Sequence, residues 1–311
     1  MLDNKNEYNP INPIGGSELM FNELRRRLPH HLSRVSIFNF PHQAETAYPL
    51  IYWNTVSYDQ SSVLVLQDQN FINQVKKFVF VSHWQSEKFR QIFNIPTIKT
   101  EVIQNACIGV PDRVIKVPEG KIKICYTSTP WRGLDVLLRA WELNPPENCE
   151  LHIFSSTKIY GKEFSDKEEF KFNKLYEKAK SLPNVIYRGA VKNEDLRNEL
   201  VEFDILAYPS TFEETSCISV IEALSAGLRV ITSNIGALPE TTEGWARIYP
   251  YKLDKESHSE YFSEVLHEEI NKLRQGELQE HLTNQLSIYK KKWSWDEREK
   301  DWRRFLESIN Y

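Results

Sequence analysis

The chain has no surplus of either charge. Thirty-nine Lys and Arg stand against 43 Asp and Glu over 311 residues, a formal net charge of -4. That balance gives no reason to expect a nucleic-acid partner. Cysteine is scarce as well: Cys107, Cys125, Cys149 and Cys217 are scattered and none falls in a C-x-x-C pair. This excludes a disulfide framework or a cysteine zinc site, and the four are expected as small buried side chains in a reducing compartment. No apolar run approaches the length of a membrane span and no signal-peptide pattern opens the chain, so the expected location is the cytoplasm. A D-x-D metal motif is also missing, and no metal or other cofactor is expected.

What is present is a sequence 41% hydrophobic and 26% charged, enough to bury two modest cores or one large one. Residues 1–14 are polar and carry no strand pattern. Apolar runs at 35–40 (VSIFNF), 49–56 (PLIYWNTV), 62–68 (SVLVLQD) and 77–82 (KFVFVS) read as mostly buried strands. Strands ending in polar residues place them at the carboxyl edge of a sheet, where open α/β sheets bind ligands. Gln67, Asp68, Ser82 and His83 are thus candidates for a cleft wall, although a histidine after a strand is more often structural. Turn formers Asn105, Gly109 and Pro111 put a hinge between about 105 and 120.

The second half alternates more regularly. Strands are expected at 121–128, 150–155, 184–191, 204–209 and 228–233, with helices between them. That spacing calls for parallel crossovers in a Rossmann-like sheet with the nucleotide at its carboxyl edge. The predicted organisation is a first Rossmann-like unit over 1–113, a second over 114–290 that binds the nucleotide, and a terminal helix over 291–311 carrying Trp295, Trp302, Phe305 and Ile309 on one side.

Three places carry chemistry. Gly15-Gly16-Ser17-Glu18 precedes a helical run with Leu19, Leu24 and Leu28 on one face; two glycines at a helix start let a phosphate come close to free N–H groups. A tight turn competes equally. Arg132, in Thr129-Pro130-Trp131-Arg132-Gly133, stands just before a helix, where a guanidinium can meet a diphosphate with Thr129 beside it. An exposed loop arginine is the plain alternative. The third place is Tyr208 to Gly227, read as the end of a strand, a turn, and a helix capped by Thr215 and Ser216 and ended by glycine. Glu214 at its mouth and Glu222 inside it are eight positions apart, roughly 12 Å along a helix. One carboxylate would meet a sugar and the other the ribose of the same nucleotide-sugar. The diphosphate would lie between them on the N–H groups near Ser216, Cys217 and Ile218. Two glutamates on one helix are usually solvated, but Ile218, Ile221 and Leu224 would hold Glu222 near the buried side.

The glutamate pair sits in P-S-x-x-x-E, then seven residues, then E-A-x-x-A-G, followed by Arg229 to Thr232. The arrangement resembles the glutamate-x7-glutamate signature of retaining glycosyltransferases of family 4, which have the GT-B fold. The likeness runs from Gly15 onward and is strongest between Ile122 and Glu240.

The resemblance implies two Rossmann-like domains facing a central cleft, with the first one abbreviated and the terminal helix crossing back to it. It implies transfer of a sugar from a nucleoside-diphosphate sugar to a carbohydrate, lipid-linked or other hydroxyl acceptor, with retention and without a metal. It places Gly16 near the donor diphosphate and Val191, in Arg188-Gly189-Ala190-Val191, near the nucleobase. The family often has a histidine where this chain has Gln67, and a lysine where it has Arg132. Two other readings stay open: a non-catalytic nucleotide- or carbohydrate-binding protein, and a nucleotide-sugar epimerase or phosphorylase on the same scaffold. Arg25-Arg26-Arg27 reads first as a solvated helix face, with peripheral contact to anionic lipid at the inner face of a membrane as the alternative.

Overall fold

The computed structural model describes residues 15–39, 49–160 and 167–309. The expectation that residues 1–14 hold no strand lies outside the described residues. Two parallel sheets follow one another along the chain. The first consists of β1 (Ser36–Phe38), β2 (Leu50–Asn54), β3 (Lys77–Phe80) and β4 (Thr100–Val102), which are neighbours in chain order. With it go α1 (Gly16–Arg27), α2 (Pro29–Leu32), α3 (Gln69–Gln74) and α4 (His83–Phe93). Its strands are apolar on both sides because both faces are covered. Ile51, Trp53, Val79 and Val81 belong to one buried cluster, and Leu50, Tyr52, Phe78 and Phe80 to the other.

One expected strand is not a strand. Ser61–Gln67 is a 3-10 helix, and its side chains show why alternation misled. Val63 and Leu66, three apart, are fully buried, whereas Leu64 is 53% exposed. A spacing of three is the period of a 3-10 turn.

The second sheet is made by β5 (Ile122–Tyr126), β6 (Cys149–Ile153), β7 (Val185–Tyr187), β8 (Ile205–Tyr208), β9 (Arg229–Ser233) and β10 (Arg247–Tyr249). Between them come α5 (Leu134–Leu143), α6 (Asn173–Ser181), α7 (Asn193–Glu199), α8 (Ile218–Ser225) and α9 (Leu238–Thr242). The strand order is β10-β9-β8-β5-β6-β7, all parallel. The order reverses between β5 and β8, and at such a switch the loops after the two strands part to leave a crevice. Three helices follow β10: α10 (Lys255–Arg274), α11 (Gln279–Lys292) and α12 (Trp295–Ile309). Among the described residues, no helix is long and apolar enough to cross a membrane. All four cysteines are free and buried.

α8 is nearly buried all round, from Val220 through Ser225. Each of its large aliphatic side chains contributes roughly 1.5–3 kcal/mol by leaving water. Its end is set by Gly227 at φ 76°, with Leu228 N–H on Ala223 O at 3.0 Å and Gly227 N–H on Leu224 O at 3.1 Å. These are the two bonds of a Schellman motif.

The chain passes between the sheets twice, and the passages are bonded together: Cys107 N–H donates to Trp293 O at 2.8 Å. After the second passage α12 packs on the first sheet. Trp302 is fully buried, its ring centroid 4.7 Å from that of Trp53, in the cluster that also holds Leu19, Met20 and Leu24 of α1. Trp302→Ala is expected to destabilise the protein by about 3–5 kcal/mol, measurable as a lower urea midpoint. An unchanged midpoint would show that α12 contributes little to this core.

Candidate functional site

A cavity of about 310 Å3 lies between the sheets, within the usual small-molecule range of ~300–1,000 Å3. Its floor is the switch point: Thr127, Ser128, Thr129 and Arg132 follow β5, and Glu214 to Ser219 follow β8. The first sheet's side supplies Gly15 to Leu19, Thr55, Val56 and Asn105.

Two helix starts meet here. α1 begins after Gly15 and α8 after Cys217, and among the described residues neither has a side-chain cap. The Thr215 and Ser216 caps expected for α8 are therefore not made. Thr215 Oγ1 instead donates to Thr55 O at 3.1 Å, across the two sheets. The first bond inside α8 runs from Ile221 N–H to Cys217 O at 3.0 Å, so the N–H groups of Ile218 and Ser219 have no intrahelical acceptor. The starts touch: a Cβ added to Gly16 would lie 2.7 Å from Ile218 Cδ1. Gly16 is what allows the two positive helix ends to come this close.

Glu214 is not on the helix, which starts four residues later. The 12 Å estimate along a continuous helix therefore does not apply. Glu214 is 3% exposed and sits in a loop held from behind. Gly236, at φ 63°, packs so closely that an added Cβ would stand 2.5 Å from Glu214 N, and Ala237 N–H donates to Glu214 O at 2.7 Å. The carboxylate accepts from Arg132 Nη1 through both oxygens, at 3.0 and 3.1 Å, and from the Tyr208 hydroxyl. The Arg132 guanidinium also lies over the Phe212 ring at 4.8 Å. The two expected site residues are thus bound to each other in the cleft.

Glu222 lines the same cavity and is 8% exposed. Burial pushes its carboxyl up to about 7, with Arg197 opposing the shift. Several buried polar atoms around the cavity have no partner among the described residues: Thr127 Oγ1, Thr129 Oγ1, Ser216 Oγ and Asn105 Oδ1. Such orphans are costly unless something polar enters to meet them. Val191 lines the cavity beside Gly189, Ala190 and Phe154.

The expected cleft residues of the first sheet lie elsewhere. Gln67 and Asp68 are exposed, because the segment is a 3-10 turn whose end is not a strand edge; Asp68 caps α3 by accepting from Asn70 N–H at 2.8 Å. Ser82 caps α4. His83 is exposed in the first turn of α4, outside the cavity lining. Its backbone N–H and that of Trp84 donate to Glu240 from the second sheet, at 2.8 and 3.0 Å.

Residues that sequence reasoning left without a site role include Tyr208, Gly236, Asn105, Arg197 and Glu240. Only Gly236 had a local signal, standing with Asn234 in a turn just after a strand. Asn105, Arg197 and Glu240 depend on contacts between distant segments, whereas Tyr208 meets Glu214 only six residues further on.

Residues 112–285 match the family model for Glycosyl transferases group 1. One component of the human phosphatidylinositol N-acetylglucosaminyltransferase is 38% identical over 52 residues, 17% of this chain and 10% of that protein. An uncharacterized 41.2 kDa protein in the cps region of Klebsiella pneumoniae is 29% identical over 143 residues, 40% of this chain and 39% of that protein. Both matches span well under two thirds of those relatives. The structure of Anabaena HepE in complex with UDP and glucose aligns with a TM-score of 0.65 at 16% identity, covering 96% of this chain and 84% of that one. Sucrose-phosphate synthase from Thermosynechococcus elongatus aligns with a TM-score of 0.63 at 13% identity, covering 94% and 78%. These likenesses identify the α/β architecture as GT-B. With its family match extending over more than half of its length, the chain belongs to the glycosyl transferases group 1 family.

Proposed function

We propose that the protein transfers a sugar from a nucleoside-diphosphate sugar to an acceptor hydroxyl, with retention at the anomeric carbon and without a resident metal. The observation that carries this reading is the meeting of two uncapped helix starts, at Gly16 and Ile218, over a cavity that also holds Arg132. Diphosphate is the ligand chemistry that such a concentration of positive potential suits. The complexes of HepE with UDP-glucose and with UDP and glucose, on the same fold, support a nucleotide-sugar as donor.

In this reading the diphosphate competes with Glu214 for the Arg132 guanidinium, leaving the carboxylate to accept hydrogen bonds from sugar hydroxyls. Glu222 accepts from the ribose diol, and Val191 borders the nucleobase. The bond from the anomeric carbon to the leaving phosphate oxygen breaks, and its electron pair stays on the diphosphate. The acceptor oxygen bonds to the same face of that carbon, and its proton passes to the leaving phosphate oxygen. No histidine lies among the described cavity-lining residues, which weighs against an epimerase with paired acid and base.

Glu214→Gln removes the charge while keeping the side chain's size and an acceptor for Arg132, so it is a cleaner substitution than alanine. It is expected to lower kcat on the order of 100-fold while shifting Tm by only a few degrees; equal turnover would remove the assignment. Glu222→Ala is expected chiefly to raise the donor KM. Gly16→Val, driven against Ile218, is expected to weaken nucleotide binding about tenfold or more, read by calorimetry. Incubation with a panel of nucleotide-sugars, with and without acceptors, tests the reaction itself. Acceptor-dependent nucleotide release and a retained anomeric configuration by NMR support it, whereas thermal stabilisation by nucleotide without turnover would replace it with a binding protein.

A further inference from the structure

One positive charge stands behind Glu222. Arg197 of α7 brings Nη1 to 3.9 Å from Glu222 Oε1, with 12% of its own side chain and 10% of the glutamate's exposed. That separation is too long for a hydrogen bond, and Arg197 Nη1 is buried with no hydrogen-bond partner among the described residues. Asn193 and Leu196 of the same helix line the cavity, but Arg197 does not. The guanidinium therefore acts on Glu222 rather than on a molecule that enters. Its helix is tied to the exit of β7 by the Arg188–Glu199 ion pair at 2.6 Å.

We propose that Arg197 is the positioning residue of the ribose subsite, its guanidinium set behind Glu222 so as to favour and orient a carboxylate whose two oxygens both accept from a vicinal diol. The inference rests on the reading of Glu222 as the diol-binding residue. A carboxylate can accept from two hydroxyls, whereas a neutral carboxyl must give up one acceptor position to its own proton. Burial pushes Glu222 up to about 7 and Arg197 works against it. Among the described residues the Cys107 thiol, in the loop after β4, also bears on the pair; burial raises it to about 12 and it stays neutral. Without the guanidinium, more of the free protein would be protonated at Glu222, and diol binding would have to expel that proton.

The test is calorimetric titration of the full chain with UDP and with 2′,3′-dideoxyuridine diphosphate, between pH 6 and 9. Wild type, Arg197→Gln, Arg197→Lys and Glu222→Gln are compared. Arg197→Gln is expected to weaken UDP about fivefold at pH 7 and nearly tenfold at pH 6, equivalent to moving the midpoint of its pH dependence up by about one unit, and to lose almost nothing at pH 9. The dideoxy compound should bind both proteins within about twofold, which also shows that the variant is folded, and Arg197→Lys should recover part of the UDP affinity. Equal weakening of both nucleotides, or unchanged UDP binding, overturns the inference. If Glu222→Gln keeps the full preference for UDP over the dideoxy compound, the ribose assignment itself falls. Absence of UDP, ADP and GDP binding to wild type would overturn the site reading as a whole.

Discussion

The structure depends on a constraint that opposes its own stability: two helix starts, each worth about half a positive charge, are held in contact with no side chain among the described residues to cap them. Burial supplies the force that keeps them there. α8 is locked in the second core by Val220, Ile221 and Leu224, and α1 in the first by Leu19, Met20 and Leu24 together with α12. Neither helix can turn away without exposing apolar surface, so the positive region is built in before any ligand arrives. Glu214 answers part of it through Arg132.

Two carboxylates share the cavity but not the same surroundings. Glu214 is gripped by a guanidinium and a phenol, while Glu222 faces a more distant arginine and is pushed toward neutrality by burial. Environment separates what spacing alone made look like a symmetrical pair.

Much of this was legible in the chain. The five strands expected after Ile122 all appear in the structure, because buried parallel strands are short apolar runs that periodicity detects; β10, only three residues long, is a sixth that the alternation did not point to. The glycine after Ala226 does end α8. The start of α8 was harder to place, since Thr215 and Ser216 have the right chemistry for caps but are drawn to Thr55 and the cavity. Residues 61–67 misled for a local reason, their apolar positions fitting both a two-residue and a three-residue period. Arg197 and Glu240 had no local signature, as each matters through a partner that the linear order does not reveal.

Glu240 has a consequence of its own. It supplies, from one half of the molecule, the acceptors for the bare amides at the start of a helix in the other. The first turn of α4 is thus capped from two sources, Ser82 of its own strand exit and a carboxylate of the opposite half, and without that carboxylate two of its amides would be left to water.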